Sequence, residues 1–329
     1  MTTRKDIAAL TSLRGIAALA VLIYHSTFSF RGYLGVDLFF LLSGFVLAHV
    51  YGRMELSRQT YCGFLKARFA RIYPVHFLTL VLMLPLLNNT NPLFSTGGLI
   101  SSLFLLQAPW HSACWNLASW SISAEWHAYL VFPVIALLFR NRSNRMLLAA
   151  LIACALIIGI TGAMIDLERT THGLLVFLRF LPEFVGGMVL YSLYERGLPK
   201  WFGHDATFWL SIVALPLLEW LRAPNGLMLC ALGLVLLTSA TNEGHPTRLL
   251  NAPVFAYLGK ISYSLYMVSG VVMIIGFIVQ LPNESSLYPI FMIGLSLPLA
   301  ALMSPVFEYP ARDWLKQFSW SCGRRVQLS

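Results

Sequence analysis

The chain has 329 residues, of which 57% are hydrophobic and only 11% charged, with a formal net charge of +9 at pH 7. One soluble core cannot bury that much apolar side chain, so most of the chain must meet lipid. The 23 basic residues outnumber the 14 acidic ones, but they punctuate apolar segments instead of forming a solvated, aromatic-interleaved surface, which argues against nucleic acid as a partner.

At the N-terminus Arg4 and Lys5 precede an apolar run from Ile7 to Phe28 that superficially resembles a secretory signal. The run carries Arg14 and His25 and lacks a small-residue cleavage site, so it is read as a retained spanning helix. A span needs about 20 mostly apolar residues. About ten stretches qualify, at 7–28, 34–52, 72–89, 117–139, 146–165, 174–195, 206–221, 225–241, 260–280 and 287–307. A shorter stretch, 97–109, begins at Gly97-Gly98 and either spans thinly or lies re-entrant.

If 97–109 does not cross, the positive-inside rule sorts the loops cleanly. The N-terminus, 53–71, 140–145, 196–205, 242–260 and the C-terminal tail then hold nineteen of the 23 basic residues on the cytoplasmic side, counting Arg14 and Lys260 with the near helix ends. Arg31, Arg169, Arg179 and Arg222 remain for the outside or the membrane. The expected fold is therefore an all-α polytopic transmembrane bundle of about ten spans with both termini cytoplasmic, forming one domain over 1–329 with its core at 7–310. Cys62, Cys114, Cys154, Cys230 and Cys322 show no CxxC spacing, so no zinc or redox motif is written here and they read as core or loop thiols.

Function should follow from the polar residues inside apolar segments, which are costly there and usually functional. Eleven steps from Arg14 to His25, at about 100° and 1.5 Å per residue, bring the two side chains to one face about 16 Å apart along the axis. Arg14 falls toward the cytoplasmic end and His25 toward the outer end, two stations on one path. Asp37 lies near the outer end of its helix as a partner for an arginine or a histidine. Arg179 and Glu183 are i, i+4 neighbours that can neutralise each other. Glu125, placed at a depth comparable to His25, can orient an imidazole or raise its basicity. Lys66, Arg68 and Arg71 close the 53–71 segment at the membrane border, where basic residues either anchor the topology or bind phosphate by charge-assisted bonds.

With these residues in place, the chain resembles the bacterial membrane acyltransferase-3 family, multi-span O-acyltransferases that modify surface polysaccharides and other cell-envelope or secreted molecules. The arginine, ten residues, then histidine signature stands as Arg14 to His25 within LTSLRGIAALAVLIYHS. GVDLFFLLSGFVLAHVY at 35–51, RFARIYP at 68–74, WSISAEWHAYLVFP at 120–133, RFLPEFVGGMVL at 179–190, LGKISYSLYM at 258–267 and FEYPAR at 307–312 follow in order and are similar to the family's further motifs. One departure is Ser269, where the family commonly carries a histidine after the Ser-Tyr-x-x-Tyr element.

The resemblance implies a multi-pass protein of the bacterial inner membrane. It also implies acetyl-CoA, or another acyl-CoA, as a donor held at the cytoplasmic face, with no metal. Arg68 and Arg71, with Lys66 and Arg14, would meet the nucleotide phosphates. His25 would act as general base on an acceptor hydroxyl, and Glu125 would orient or charge-compensate it. Ser123 and Ser121 are nearby candidates for hydrogen bonding inside the bundle and not for a covalent role. The acceptor would be a polysaccharide or glycoside, with membrane lipid and polysaccharide-biosynthesis machinery as further partners. A transporter of polysaccharide precursors or protons is the alternative, although transporters often show repeated halves with broken helices and no such symmetry is visible here. A third reading is a structural partner of a polysaccharide synthase that performs no chemistry.

Overall fold

The computed structural model describes residues 7–27, 30–86, 94–110, 114–168 and 170–318. Arg4, Lys5, Phe28, Arg169, Cys322, Arg324 and Arg325, all used in the topology or cysteine readings, lie outside the described residues.

The described elements are helical. In chain order they are α1 (Ala8–Thr27), α2 (Leu34–Tyr51), α3 (Arg58–Met83), α4 (Thr96–Leu103), α5 (Gln107–Trp110), α6 (Ser119–Phe139), α7 (Asn144–Met164), α8 (Leu175–Glu195), α9 (Asp205–Trp220), α10 (Asn225–Thr241), α11 (His245–Leu250), α12 (Pro253–Ile278), α13 (Leu287–Met303) and α14 (Tyr309–Gln317), with a π-helical turn at Ser304–Glu308 joining the last two. Among the described residues, seven helical segments are long and apolar enough to cross a membrane: α1, α2, α6, α7, α8, α12 and the run Leu287–Gln317. The apolar α10 and the 16-residue α9 are shorter. Large apolar side chains turned outward, such as Ile152, Leu210, Phe277 and Leu302, give the bundle a surface suited to lipid. The chain is thus an all-α, multi-pass membrane protein.

Three features refine the sequence reading. The segment 53–71 is a loop only up to Ser57, because Ser57 and Thr60 form a reciprocal capping box that starts α3 at Arg58. Lys66, Arg68 and Arg71 therefore ride on the third and fourth turns of one continuous helix. The stretch 97–109 folds as the eight-residue α4 and the four-residue α5, bent apart at Leu105, whose φ is 58°. An eight-residue helix is about 12 Å long, too short to cross. Cys62 is disulfide-bonded, in contrast to the plain thiol expected, while Cys114, Cys154 and Cys230 are free.

Two close helix pairs set the frame. A Cβ on Gly15 would lie 2.5 Å from Gly259 N, so α1 and α12 touch backbone to backbone there. Beyond that point Ala18 and Leu22 pack with Ile261, Leu265 and Val268, which makes the two helices parallel. Small residues at such crossings are the general device for close packing in lipid. The second pair is α2 and α8, where a Cβ on Gly44 would meet Phe184 O at 1.9 Å and one on Gly187 would meet Leu41 O at 2.0 Å. Asp37 meets Arg179 higher up the same pair and Phe45 meets Tyr191 lower down, so these helices are also parallel.

Candidate active site

Between these pairs, with α3 and α6 closing the sides, lies a cavity of about 850 Å³. Its polar wall consists of Arg14 from α1, Ser43 from α2, Arg68 and Arg71 from α3, Ser121, Glu125 and Tyr129 from α6, and Ser262, Tyr263 and Tyr266 from α12. Val36, Phe39, Phe40, Val46, Leu47, Ile72 and Ile122 supply the apolar remainder. Four helices therefore bring ionisable or phenolic groups to one enclosed space inside an apolar bundle.

The three guanidiniums are held differently. Arg71 Nη1 donates to Glu308 Oε1 at 2.8 Å, and its guanidinium carbon stands 5.6 Å from the Tyr263 ring centroid. Arg68 Nη2 donates to Tyr51 OH at 3.3 Å and its carbon lies 5.2 Å from that ring, while its buried Nε has no partner. Arg14 has no hydrogen-bond or ion-pair partner among the described residues. Against these stand two carboxylates. Glu125 accepts from Ser43 Oγ at 2.6 Å, and Glu308 also accepts from Ser264 Oγ at 2.6 Å. Formal charges leave one net positive charge in the cluster, so the cavity favours an anionic ligand. Ser121 donates to Tyr266 OH at 2.9 Å, and Tyr266 packs edge-on against Phe39 with ring centroids 5.8 Å apart.

Not every residue singled out from the sequence lies here. His25 sits on the last turns of α1, partly buried and 5.3 Å from the Tyr24 ring, and does not line the cavity. Glu125 is not its hydrogen-bond partner, contrary to expectation. Glu125 is six residues, about 9 Å, from the N-terminal end of α6, whereas His25 is two residues, about 3 Å, from the C-terminal end of α1. Lys66 is directed to the C-terminal segment, where its Nζ donates to Lys316 O at 2.7 Å and to Phe318 O. Ser123 donates to Leu105 O at 2.5 Å and accepts from Ala108 N, so it fastens the α4–α5 bend to α6. Ser269 donates to Tyr266 O of its own helix at 2.8 Å.

Asp37 forms a buried salt bridge with Arg179 at 2.8 Å, and Arg179 also donates to Leu167 O at 2.6 Å and lies 4.9 Å from the Trp120 ring. Arg179 bonds directly to Asp37 across the α2–α8 contact and not to its i, i+4 neighbour Glu183, although Glu183 still lies near enough to act on its charge. Glu183 is buried with one carboxyl oxygen unpartnered. Ser43, Tyr129, Tyr263 and Glu308 are the additions that only the structure makes. Tyr263 and Glu308 stand inside motifs quoted above, but nothing in their spacing tells which cavity they reach.

A multi-helix membrane bundle that buries a cationic, tyrosine-rich cavity is the class that the fold and site define, and comparison with known proteins narrows it. The chain belongs to the family of the Acyltransferase domain, whose model matches residues 7–304. It is 31% identical over 306 residues to the acyltransferase MdmB of Streptomyces mycarofaciens, covering 79% of this chain and 77% of that one. Protein 2 in the picA locus of Rhizobium radiobacter is 50% identical over 80 residues, 22% of this chain and 42% of its own length. The peptidoglycan O-acetyltransferase OatA of Listeria monocytogenes is 27% identical over 181 residues, 47% of this chain and 28% of its own length. The chain thus spans only part of some of the relatives it matches. No solved structure matches.

Proposed function

We propose that this protein transfers an acyl group, acetyl in the first instance, from cytoplasmic acyl-CoA to a hydroxyl of a cell-envelope or exported polysaccharide or glycoside. The observation that carries this reading is the cavity itself: Arg14, Arg68 and Arg71 converge on one space in a member of an acyltransferase family. A coenzyme A donor carries its phosphates at one end of a long thin arm. The guanidiniums suit the phosphates by charge-assisted hydrogen bonds, and the apolar part of the wall, Val36, Phe39, Phe40 and Ile122 among it, suits the arm. Membership of the family displaces the transporter and structural-partner alternatives, and the peptidoglycan specificity in the name of the Listeria relative is one member of the proposed acceptor class.

Topologically, the proposal keeps about ten spans in the bacterial inner membrane, both termini cytoplasmic, in one domain. The parallel α1–α12 and α2–α8 pairs support it, since an alternating chain with its ends on one side gives those relative directions. So does the convergence of Arg53, Arg140 and Arg196 at a single end of the bundle.

In the proposed reaction His25, three turns beyond Arg14 on the same helix, removes the acceptor hydroxyl proton as the oxygen attacks the thioester carbonyl. The acyl carbon-sulfur bond breaks, coenzyme A leaves as the thiolate and takes up a proton, and the ester remains on the acceptor. Glu125 keeps its place beside Ser43 and offsets part of the cationic charge. The experiment is a comparison of envelope glycans by NMR and mass spectrometry in strains with and without the gene. An acyl ester that depends on this chain supports the reading, and identical glycans in both strains refute it.

A further inference from the structure

The π-helical turn Ser304–Glu308 is the one interruption in the run from Leu287 to Gln317, closed by Tyr309 N donating to Ser304 O. A π-turn inserts one residue, which rotates everything beyond it by about 100° relative to a continuous α-helix. The residue at its end is Glu308, a 1% exposed carboxylate held by Arg71 at 2.8 Å and Ser264 at 2.6 Å. Burying a carboxylate at a helix irregularity is costly unless it has paired, well-formed bonds, and the partner it has is a cavity arginine. Only Nη1 of Arg71 is engaged; Nε and Nη2 have no partner among the described residues, and the side chain is 28% exposed on the cavity wall.

We propose that Glu308 is a positioning residue of the donor site: by accepting from Arg71 and Ser264 it fixes that guanidinium against Tyr263 and leaves Nε and Nη2 to bind an anionic group of the donor. The inference rests on the acyl-CoA reading and adds a part to it. Arg14 and Arg68 lack a carboxylate within 4.0 Å among the described residues, so Arg71 is the only cavity guanidinium among them whose direction a carboxylate fixes.

The test uses the purified full-length protein in lipid nanodiscs, with acetyl-CoA as the probe. Binding is measured directly, and KM and kcat are measured for wild type, Glu308→Gln, Glu308→Asp and Ser264→Ala. Loss of the charge-assisted bond in Glu308→Gln should raise KM about tenfold or more while kcat stays within a few-fold. Glu308→Asp should recover most of that loss. Ser264→Ala, which keeps the carboxylate and removes one of its donors, should give a smaller rise and serves if Glu308→Gln fails to fold.

A carboxylate that acted only as nearby negative charge would do the opposite, because its removal would draw the anionic donor in and lower KM. A lowered or unchanged KM in folded Glu308→Gln overturns the role given to Glu308, as does an unchanged KM in Ser264→Ala when Glu308→Gln does not fold. Absence of acetyl-CoA binding by the wild type overturns the donor reading itself, and this inference with it.

Discussion

The Asp37–Arg179 pair is the most heavily buried ionic contact described, with side-chain exposures of 9% and 1%. Replacing Arg179 by methionine leaves Asp37 with no countercharge and also removes the bond to Leu167 O and the contact with Trp120. Breaking a buried pair by removing one partner costs about 3–5 kcal/mol, and at about 1.4 kcal/mol per tenfold the folded-to-unfolded ratio should fall by two to three and a half orders of magnitude. Asp37→Leu strands the guanidinium and should cost a similar amount. The double variant Asp37→Leu/Arg179→Met removes both members of the pair together, so it should be less destabilised than the two singles summed, by at least about 2 kcal/mol. The assay is thermal and denaturant unfolding of detergent-solubilised protein, followed by fluorescence-detected size exclusion. Singles that unfold with the wild type, or a double variant equal to the sum of the singles, would refute the claim that this pair fastens α2 to α8.

The α2–α8 crossing itself should tolerate no side chain. Gly187→Leu, whose Cβ would begin 2.0 Å from Leu41 O, should destabilise by at least the 1–3 kcal/mol typical of overpacking and lower the yield of monodisperse protein; normal yield and stability would contradict the packing. Because Ser43 precedes Gly44 in this contact, milder substitutions there should also loosen the Ser43–Glu125 bond and reduce activity before stability, read as kcat in nanodiscs. Arg68→Glu should raise the acetyl-CoA requirement by two orders of magnitude or more, since it turns the sparsely partnered cavity guanidinium into a repulsive charge. An unchanged donor requirement would return Arg68 to a topological anchor.

Much of the bundle was legible in the residues because lipid imposes a simple rule: most of the apolar stretches, such as 7–28, 34–52, 174–195 and 225–241, reappear as helices within a few residues of their expected bounds. The errors fell where local chemistry outweighs hydropathy. The capping box at Ser57 and Thr60 extended α3 backwards through a charged segment that reads as loop. The short stretch 97–109, which hydropathy left open between spanning thinly and lying re-entrant, is decided by Leu105, whose left-handed conformation splits it into two short pieces.

For the site, the cost of charge in an apolar helix pointed to Arg14 and Glu125, and the basic cluster at the membrane border to Arg68 and Arg71; all four share one cavity, which His25 and Lys66 do not line. Partnership was less legible. Arg179 and Glu183 are neighbours in sequence at helical spacing, yet Arg179 bonds across to Asp37, because which helix lies alongside depends on glycines at 44 and 187 and not on the local repeat. Glu308 was hidden at the edge of an apolar run, where a carboxylate reads as solvated; the π-turn that brings it inward has no simple signature in one sequence.

The central claim is that an acyl group passes from a donor in the arginine cavity to an acceptor hydroxyl deprotonated by His25. The most direct measurement uses inverted membrane vesicles with the cytoplasmic face outward, loaded in their lumen with envelope glycan from a strain lacking the gene and given radiolabelled acetyl-CoA outside. Wild-type vesicles should transfer label to the glycan, while His25→Ala vesicles, with equal protein content and undiminished acetyl-CoA binding, should transfer none above background. Transfer by His25→Ala at the wild-type rate would contradict the account.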